Sequence, residues 1–264
     1  MTFMKLFVLL YTLAQQQTLY SKTNDGEFHK VIVTHSIYGH QSPAIIYLPK
    51  EALGYNAPRL PLIISFHGRS GAGHDITKVF REGVLRQIKE GKKIEAYNRI
   101  DHKLYKFIVM TPLSENWSFA ADGLNCILND VLKRFPIDST RMYVTGYSAG
   151  GWSSMMAITD SAVAPRIAAA VPMSPSAIDE QHVKQFKVTA ENNVHAWYFA
   201  GTGETLFLQN AEAYIDSTKH YKPGLTRFTR HAMGHGGFYK FYTPDYREGD
   251  MNIYEWMIMF RKHY

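Results

Sequence analysis

Short apolar runs alternate along this chain with segments of mixed polarity. Leu60-Pro61-Leu62-Ile63-Ile64-Ser65-Phe66 is apolar almost throughout, the pattern of a strand covered on both faces. Arg141 to Thr145, Ile167 to Pro172, His195 to Ala200 and Leu225 to Arg230 read as further strands. Lys78 to Lys89, Ala121 to Arg134, Asp179 to Lys187 and Ala211 to Asp216 read as helices. Strand and helix in alternation predict an α/β fold: a doubly wound, mostly parallel, open sheet with helices on both faces. Between the helix after Thr145 and the strand at His195 there is room for one short strand, a turn at Ser174-Pro175-Ser176 and one brief helix. No large cap domain is expected, and the site should be an open cleft at the C-terminal ends of the strands.

Gly146-Tyr147-Ser148-Ala149-Gly150 follows the strand-like Arg141 to Thr145 and opens into the helix-prone Gly151-Trp152-Ser153-Ser154-Met155-Met156-Ala157. Strand, G-x-S-x-G and helix in that order form a nucleophile elbow, in which small residues let strand and helix pack close around a tightly turned serine. Ser148 is therefore the candidate nucleophile. A serine in such a motif can also be a turn residue or helix N-cap, so the assignment depends on three further parts.

The first part lies upstream, where the strand ending at Phe66 runs into His67-Gly68-Arg69-Ser70-Gly71-Ala72-Gly73. A glycine-rich loop there can turn backbone N–H groups toward a developing alkoxide, and Arg69 and Ala149 are the expected oxyanion donors. The loop lacks the G-x-x-x-x-G-K-[ST] spacing of a phosphate cradle. Downstream, the strand ending at Ala200 leads into Gly201-Thr202-Gly203-Glu204-Thr205, whose first carboxylate is Glu204, the expected triad acid. Asp216 is the next acid, on a helix face that solvation explains. In His231-Ala232-Met233-Gly234-His235-Gly236-Gly237-Phe238, His235 sits among glycines and His231 ends a strand, so His235 is the expected base. No H-E-x-x-H motif or Cys/His cluster is present, and neither metal nor other cofactor is expected.

Taken in order, His67-Gly68, the Gly146 to Gly150 elbow, the Gly201 to Glu204 turn and Gly234-His235-Gly236 resemble an α/β-hydrolase. Val109-Met110-Thr111-Pro112, Trp117, and the run from Phe135 to Gly146 narrow the likeness. They resemble the secreted esterase and predicted-peptidase group, which includes polyhydroxybutyrate-depolymerase-like and feruloyl-esterase-like enzymes. Ile253-Tyr254-Glu255-Trp256-Met257 is similar to that group's last helix, so the resemblance extends over residues 28 to 262. It implies a serine carboxylic-ester hydrolase with a catalytic triad. Two residues depart from the group's pattern: Glu204 stands where aspartate is common, and Arg69 where a small or apolar residue is common. A guanidinium at that position can pair with an anionic acyl or sugar group or turn to solvent. Trp117 and Tyr147 are candidate substrate-binding residues, Trp117 by stacking on an aromatic or sugar ring or, alternatively, by packing its own loop.

Composition changes this picture little. The chain's 264 residues, 45% of them hydrophobic, can bury a full core, and no linker or repeat divides residues 15–264 into more than one expected domain. Residues 1–14, with Lys5 ahead of an apolar run from Leu6 to Ala14, read as a signal peptide. A secreted or periplasmic enzyme is the expectation. Loss of Lys5 with that segment takes the formal charge from +6 to +5. The basic residues form no stripe, so nucleic acid is not an expected partner, nor is stable membrane insertion; the expected partner is an ester substrate, free or polysaccharide-linked. A lone Cys126 forms no disulfide within the chain. Two other readings stay open: a serine peptidase of the same fold, and a non-catalytic carbohydrate-binding homologue.

Overall fold

The computed structural model describes residues 17–263, so the segment read as a signal peptide lies outside the described residues. The strands are β1 (Gln17–Lys22), β2 (Gly26–Thr34), β3 (Gln41–Pro49), β4 (Leu60–Phe66), β5 (Glu95–Asn98), β6 (Lys103–Lys106), β7 (Ile108–Pro112), β8 (Ile137–Tyr147), β9 (Ala169–Met173), β10 (His195–Gly201) and β11 (Thr226–His231). Nine of them form one sheet in the order β1-β2-β3-β7-β4-β8-β9-β10-β11, while β5 and β6 form a separate hairpin. From β7 through β11 every neighbouring pair is parallel, and the antiparallel pairs of this sheet are β1-β2, β2-β3 and β3-β7. The mostly parallel sheet anticipated from the alternation of runs is present.

Helices cover both faces: α1 (Gly83–Lys89), α2 (Ala121–Arg134), α3 (Ala149–Thr159), α4 (Glu180–Lys184), α5 (Phe186–Glu191), α6 (Thr205–Tyr221) and α7 (Ile253–Met257). Because side chains alternate along a strand, each buried strand feeds two cores. Leu62, Ile64, Met142, Val144, Ala196 and Tyr198 join α2, α3, α5 and α6 in one core. Ile63, Tyr143, Trp197 and Phe199 join α1 and α7 in the other. This explains why the central strands read as unbroken apolar runs. No cap domain is present among the described residues; between β9 and β10 the chain forms only the short α4 and α5. Nor is any described helix long and apolar enough to cross a membrane.

Two helices depart from the pattern expected from sequence. Lys78 to Lys89 is a 3₁₀ turn (Ile76–Phe80) and then α1, interrupted where Gly83 adopts φ +76°. Ser65 of β4 accounts for the break: its hydroxyl accepts the Val84 N–H at 3.2 Å, and a Cβ on Gly83 would lie 2.6 Å from the same oxygen. Asp179 to Lys187 divides into α4, capped by the Asp179 side chain, and α5.

The join of β8 to α3 sets the geometry of the site. A Cβ on Gly146 would lie 2.4 Å from the Gly150 carbonyl carbon, and one on Gly150 would lie 2.4 Å from the Phe66 carbonyl oxygen. Strand, helix and the neighbouring β4 thus meet backbone to backbone. Gly150→Ala should lower stability by about 1 to 3 kcal/mol, the usual cost of overpacking, read as a fall in the urea midpoint with an unchanged m-value.

Candidate active site

Ser148 stands between β8 and α3 at φ +57° and ψ −112°, a backbone conformation that side chains rarely adopt. Its N–H donates to the Met173 carbonyl at 2.9 Å, and its carbonyl accepts the Trp152 N–H at 3.0 Å, so both sides of the strained turn are held. The hydroxyl lies 3.0 Å from Nε2 of His235. On the other side of that ring, Nδ1 lies 2.6 Å from Oε2 of Glu204. With the ring proton on Nδ1 and donated to the carboxylate, Nε2 is free to accept the serine proton.

Glu204 is only 6% exposed, and a buried carboxylate is costly unless its oxygens are hydrogen-bonded. Here they are. Oε1 accepts the Gly201 N–H at 2.6 Å and the hydroxyl of Ser174, and Oε2 faces the imidazole. Ser174 follows β9 at φ +42°, with its N–H on the Phe199 carbonyl at 2.8 Å. Asp216, the other acid considered, is exposed on α6.

Parallel pairing of β10 with β11 sets Gly201 beside His231, so the acid turn and the histidine loop leave the sheet together. Thr202 donates to the His231 carbonyl at 2.8 Å and Gly203 to the Met233 carbonyl at 3.0 Å. A Cβ on Gly201 would lie 2.2 Å from the Met233 carbonyl oxygen, so the close approach requires glycine. His231 is turned elsewhere, with Nε2 2.7 Å from the Tyr246 hydroxyl. His235 is flanked by rings: Phe207 stacks on it at 3.8 Å between centroids, and Tyr147 lies 4.9 Å away on a tilted plane.

The loop after β4 lies against the elbow, where a Cβ on Gly68 would be 3.2 Å from Cδ1 of Tyr147 and one on Gly150 3.0 Å from the His67 carbonyl oxygen. Arg69 opens a 3₁₀ turn (Arg69–Gly71), and Ala149 is the first residue of α3; N–H groups at such positions have no partner within their own helix. Buried His67 fixes the loop, its Nδ1 on the Gly68 carbonyl at 2.8 Å and its Nε2 accepting the Ser114 N–H at 3.0 Å. Burial holds the His67 ring below its ordinary pKa, in keeping with a neutral imidazole that both donates and accepts.

The side chain of Arg69 is exposed and lies over the ring of half-buried Trp117, 5.9 Å from its centroid. The guanidinium that could pair with an anionic group and the ring that could stack on substrate therefore meet each other. Tyr147 donates its hydroxyl to the His235 carbonyl, and its ring stacks on Phe238 at 5.2 Å. Sequence reasoning gave no role to Ser174 or Phe207, whose contribution depends on how separate strand ends come together. Among the described residues, no group of three or more His, Cys, Asp or Glu is placed to hold a metal ion.

Removing the Tyr147 hydroxyl should loosen the histidine loop. Tyr147→Phe is expected to speed amide hydrogen exchange at Gly234, Gly236 and Gly237 while costing only about 1 kcal/mol of global stability, the usual worth of one hydrogen bond.

No family model and no curated protein matches the chain by sequence. Solved structures do match in shape. A thermostable esterase aligns with a TM-score of 0.55 at 17% identity, over 88% of this chain and 59% of its own. A ferulic acid esterase aligns with a TM-score of 0.53 at 12% identity, over 82% of this chain and 93% of its own. A puromycin-hydrolyzing peptidase of Mycobacterium tuberculosis aligns with a TM-score of 0.54 at 14% identity, over 78% of this chain and 36% of its own. The chain thus spans less than two thirds of the thermostable esterase and of the peptidase. At these identities the likeness is one of architecture: the chain has the α/β-hydrolase fold.

Proposed function

We propose that this chain is a serine hydrolase that cleaves carboxylic esters through an acyl-enzyme. One observation carries the reading: Ser148, His235 and Glu204 form a continuous hydrogen-bonded line, with Oγ to Nε2 at 3.0 Å and Nδ1 to Oε2 at 2.6 Å. In the first step His235 takes the Ser148 proton as Oγ attacks the ester carbonyl carbon. Glu204 holds the ring and stabilises the imidazolium that forms. The N–H groups of Arg69 and Ala149 receive the tetrahedral oxyanion, and the imidazolium then protonates the departing alcohol. Water, deprotonated by the same histidine, attacks the acyl-serine, and the imidazolium returns the proton to the Ser148 oxygen as the acid leaves.

The substrate class we assign is an acetyl or feruloyl ester, including esters borne on polysaccharide, and the enzyme is taken to be exported. Two things support this choice. Without a cap over the strand ends among the described residues, a bulky conjugate can approach Ser148, and half-buried Phe207, stacked on His235, puts a ring beside the histidine, while half-buried Trp117 lies against Arg69 of the loop after β4. The names of the similar structures, an esterase and a ferulic acid esterase, point the same way. A second reading, amide cleavage by the same residues, is favoured by the likeness to a structure named as a peptidase.

A panel of p-nitrophenyl acetate, butyrate and octanoate with methyl ferulate, alongside a peptide p-nitroanilide, tests both. Ester turnover should prefer the acetyl or feruloyl member and fall by roughly 10³- to 10⁶-fold in Ser148→Ala, the range for loss of a triad nucleophile. Ser148-dependent cleavage of the anilide alone would assign the peptidase reading; turnover unchanged by Ser148→Ala would remove the elbow from the chemistry.

A further inference from the structure

A second carboxylate is hydrogen-bonded to the loop after β4. Glu82, just before α1, turns its side chain back so that Oε1 accepts the Gly68 N–H at 2.6 Å. The backbone that carries it is fixed from β4, because Ser65 binds the Val84 N–H and leaves no space for a Cβ on Gly83. One strand therefore places both the loop and the residue that grips it. The fit is close: a Cβ on Gly68 would lie 2.8 Å from Glu82 Oε1 and 3.2 Å from Cδ1 of Tyr147.

Each peptide unit is planar, so two planes meet at Gly68, and a glycine leaves the rotations between them unusually free. The Gly68 carbonyl belongs to the same plane as the Arg69 N–H, and it is held by His67 Nδ1 at 2.8 Å and by the Gly71 N–H at 2.9 Å. The Gly68 N–H belongs to the preceding plane, and the Glu82 carboxylate holds it. With both planes pinned, the direction of the Arg69 N–H is set before any substrate arrives.

We propose that Glu82 is a positioning residue of the oxyanion loop, which fixes the Gly68 backbone through its N–H and so keeps the Arg69 N–H aimed at the oxygen that gains charge beside Ser148. The inference rests on the acyl-transfer reading above. It accounts for a carboxylate kept in a place where burial raises its pKa above the ordinary range, against the opposing effects of the Gly68 N–H and of His235, Arg81 and Arg86. Preorganised donors stabilise a transition state because they need no reorientation when charge appears.

The test compares Glu82→Gln, whose side-chain carbonyl can accept the Gly68 N–H, with Glu82→Met, which fills similar volume without an acceptor, and with Glu82→Asp, whose shorter arm withdraws it. Circular dichroism melts establish that each variant is folded. On p-nitrophenyl acetate, kcat should fall about 10- to 100-fold for Met and Asp with KM within about threefold, a misaimed donor costing less than the 10²- to 10³-fold of a deleted one. Inhibition by a trifluoromethyl ketone, which forms a tetrahedral oxyanion on the serine, should weaken in parallel, and Gln should stay within about threefold of wild type in both measurements. Folded Met or Asp variants with the kcat of Gln, or a loss of kcat without weaker ketone inhibition, would overturn the proposal. Should wild-type turnover prove insensitive to Ser148→Ala, the acyl-transfer reading falls and takes this inference with it; Ser148-dependent turnover with matching variants removes Glu82 alone.

Discussion

The close approach of α3 to the ends of β4 and β8 is the constraint on which the rest of the site depends. A side chain at Gly146 or Gly150 would meet backbone at 2.4 Å and could be placed only by pushing strand and helix apart. That contact brings the chain from strand to helix within one residue, and the residue at the turn is forced to φ +57°. Ser148 is thereby lifted to the rim of the sheet, where it is 9% exposed and still within reach of a histidine. The strain is sustained because Met173 and Trp152 hold the backbone on both sides of it.

Sheet order does the rest. β4, β8, β9, β10 and β11 are consecutive parallel neighbours, so their C-terminal ends lie along one edge. The loop bearing Arg69, then Ser148, Ser174, Glu204 and His235 leave that edge in the same order. Residues that lie far apart in the chain thus meet without a long loop being required of any. Burial then sharpens the chemistry, because Glu204 is withdrawn from water and yet fully engaged by Gly201, Ser174 and His235.

Much of this was legible in the sequence wherever the signal is local. Apolar runs such as Leu60 to Phe66 gave away strands buried on both faces, and the spacing of glycines around Ser148 gave away the elbow. Glu204 stands out as the first carboxylate past a strand, and His235 by its flanking glycines; the structure sets these two side chains against each other and turns His231 toward Tyr246. What could not be read depends on contacts between distant segments. The break at Gly83 is imposed by Ser65 across the space between α1 and β4, and helical periodicity on its own runs straight through it. Ser174 reads as an ordinary turn residue until the pairing of β9 with β10 brings it under Glu204. The meeting of Arg69 and Trp117 likewise arises only when two loops converge.

The central claim is that Ser148 is a nucleophile activated by its neighbours. Reaction of the protein with a fluorophosphonate probe, followed by intact-mass analysis and peptide mapping, tests it most directly, because the probe phosphonylates, with loss of fluoride, only a serine whose oxygen is activated and beside which backbone N–H groups can receive the phosphoryl oxygen. The account predicts one adduct per chain, on Ser148, formed much more slowly when His235 is replaced by alanine. A protein that takes up no probe, or takes it up on another serine, would contradict it.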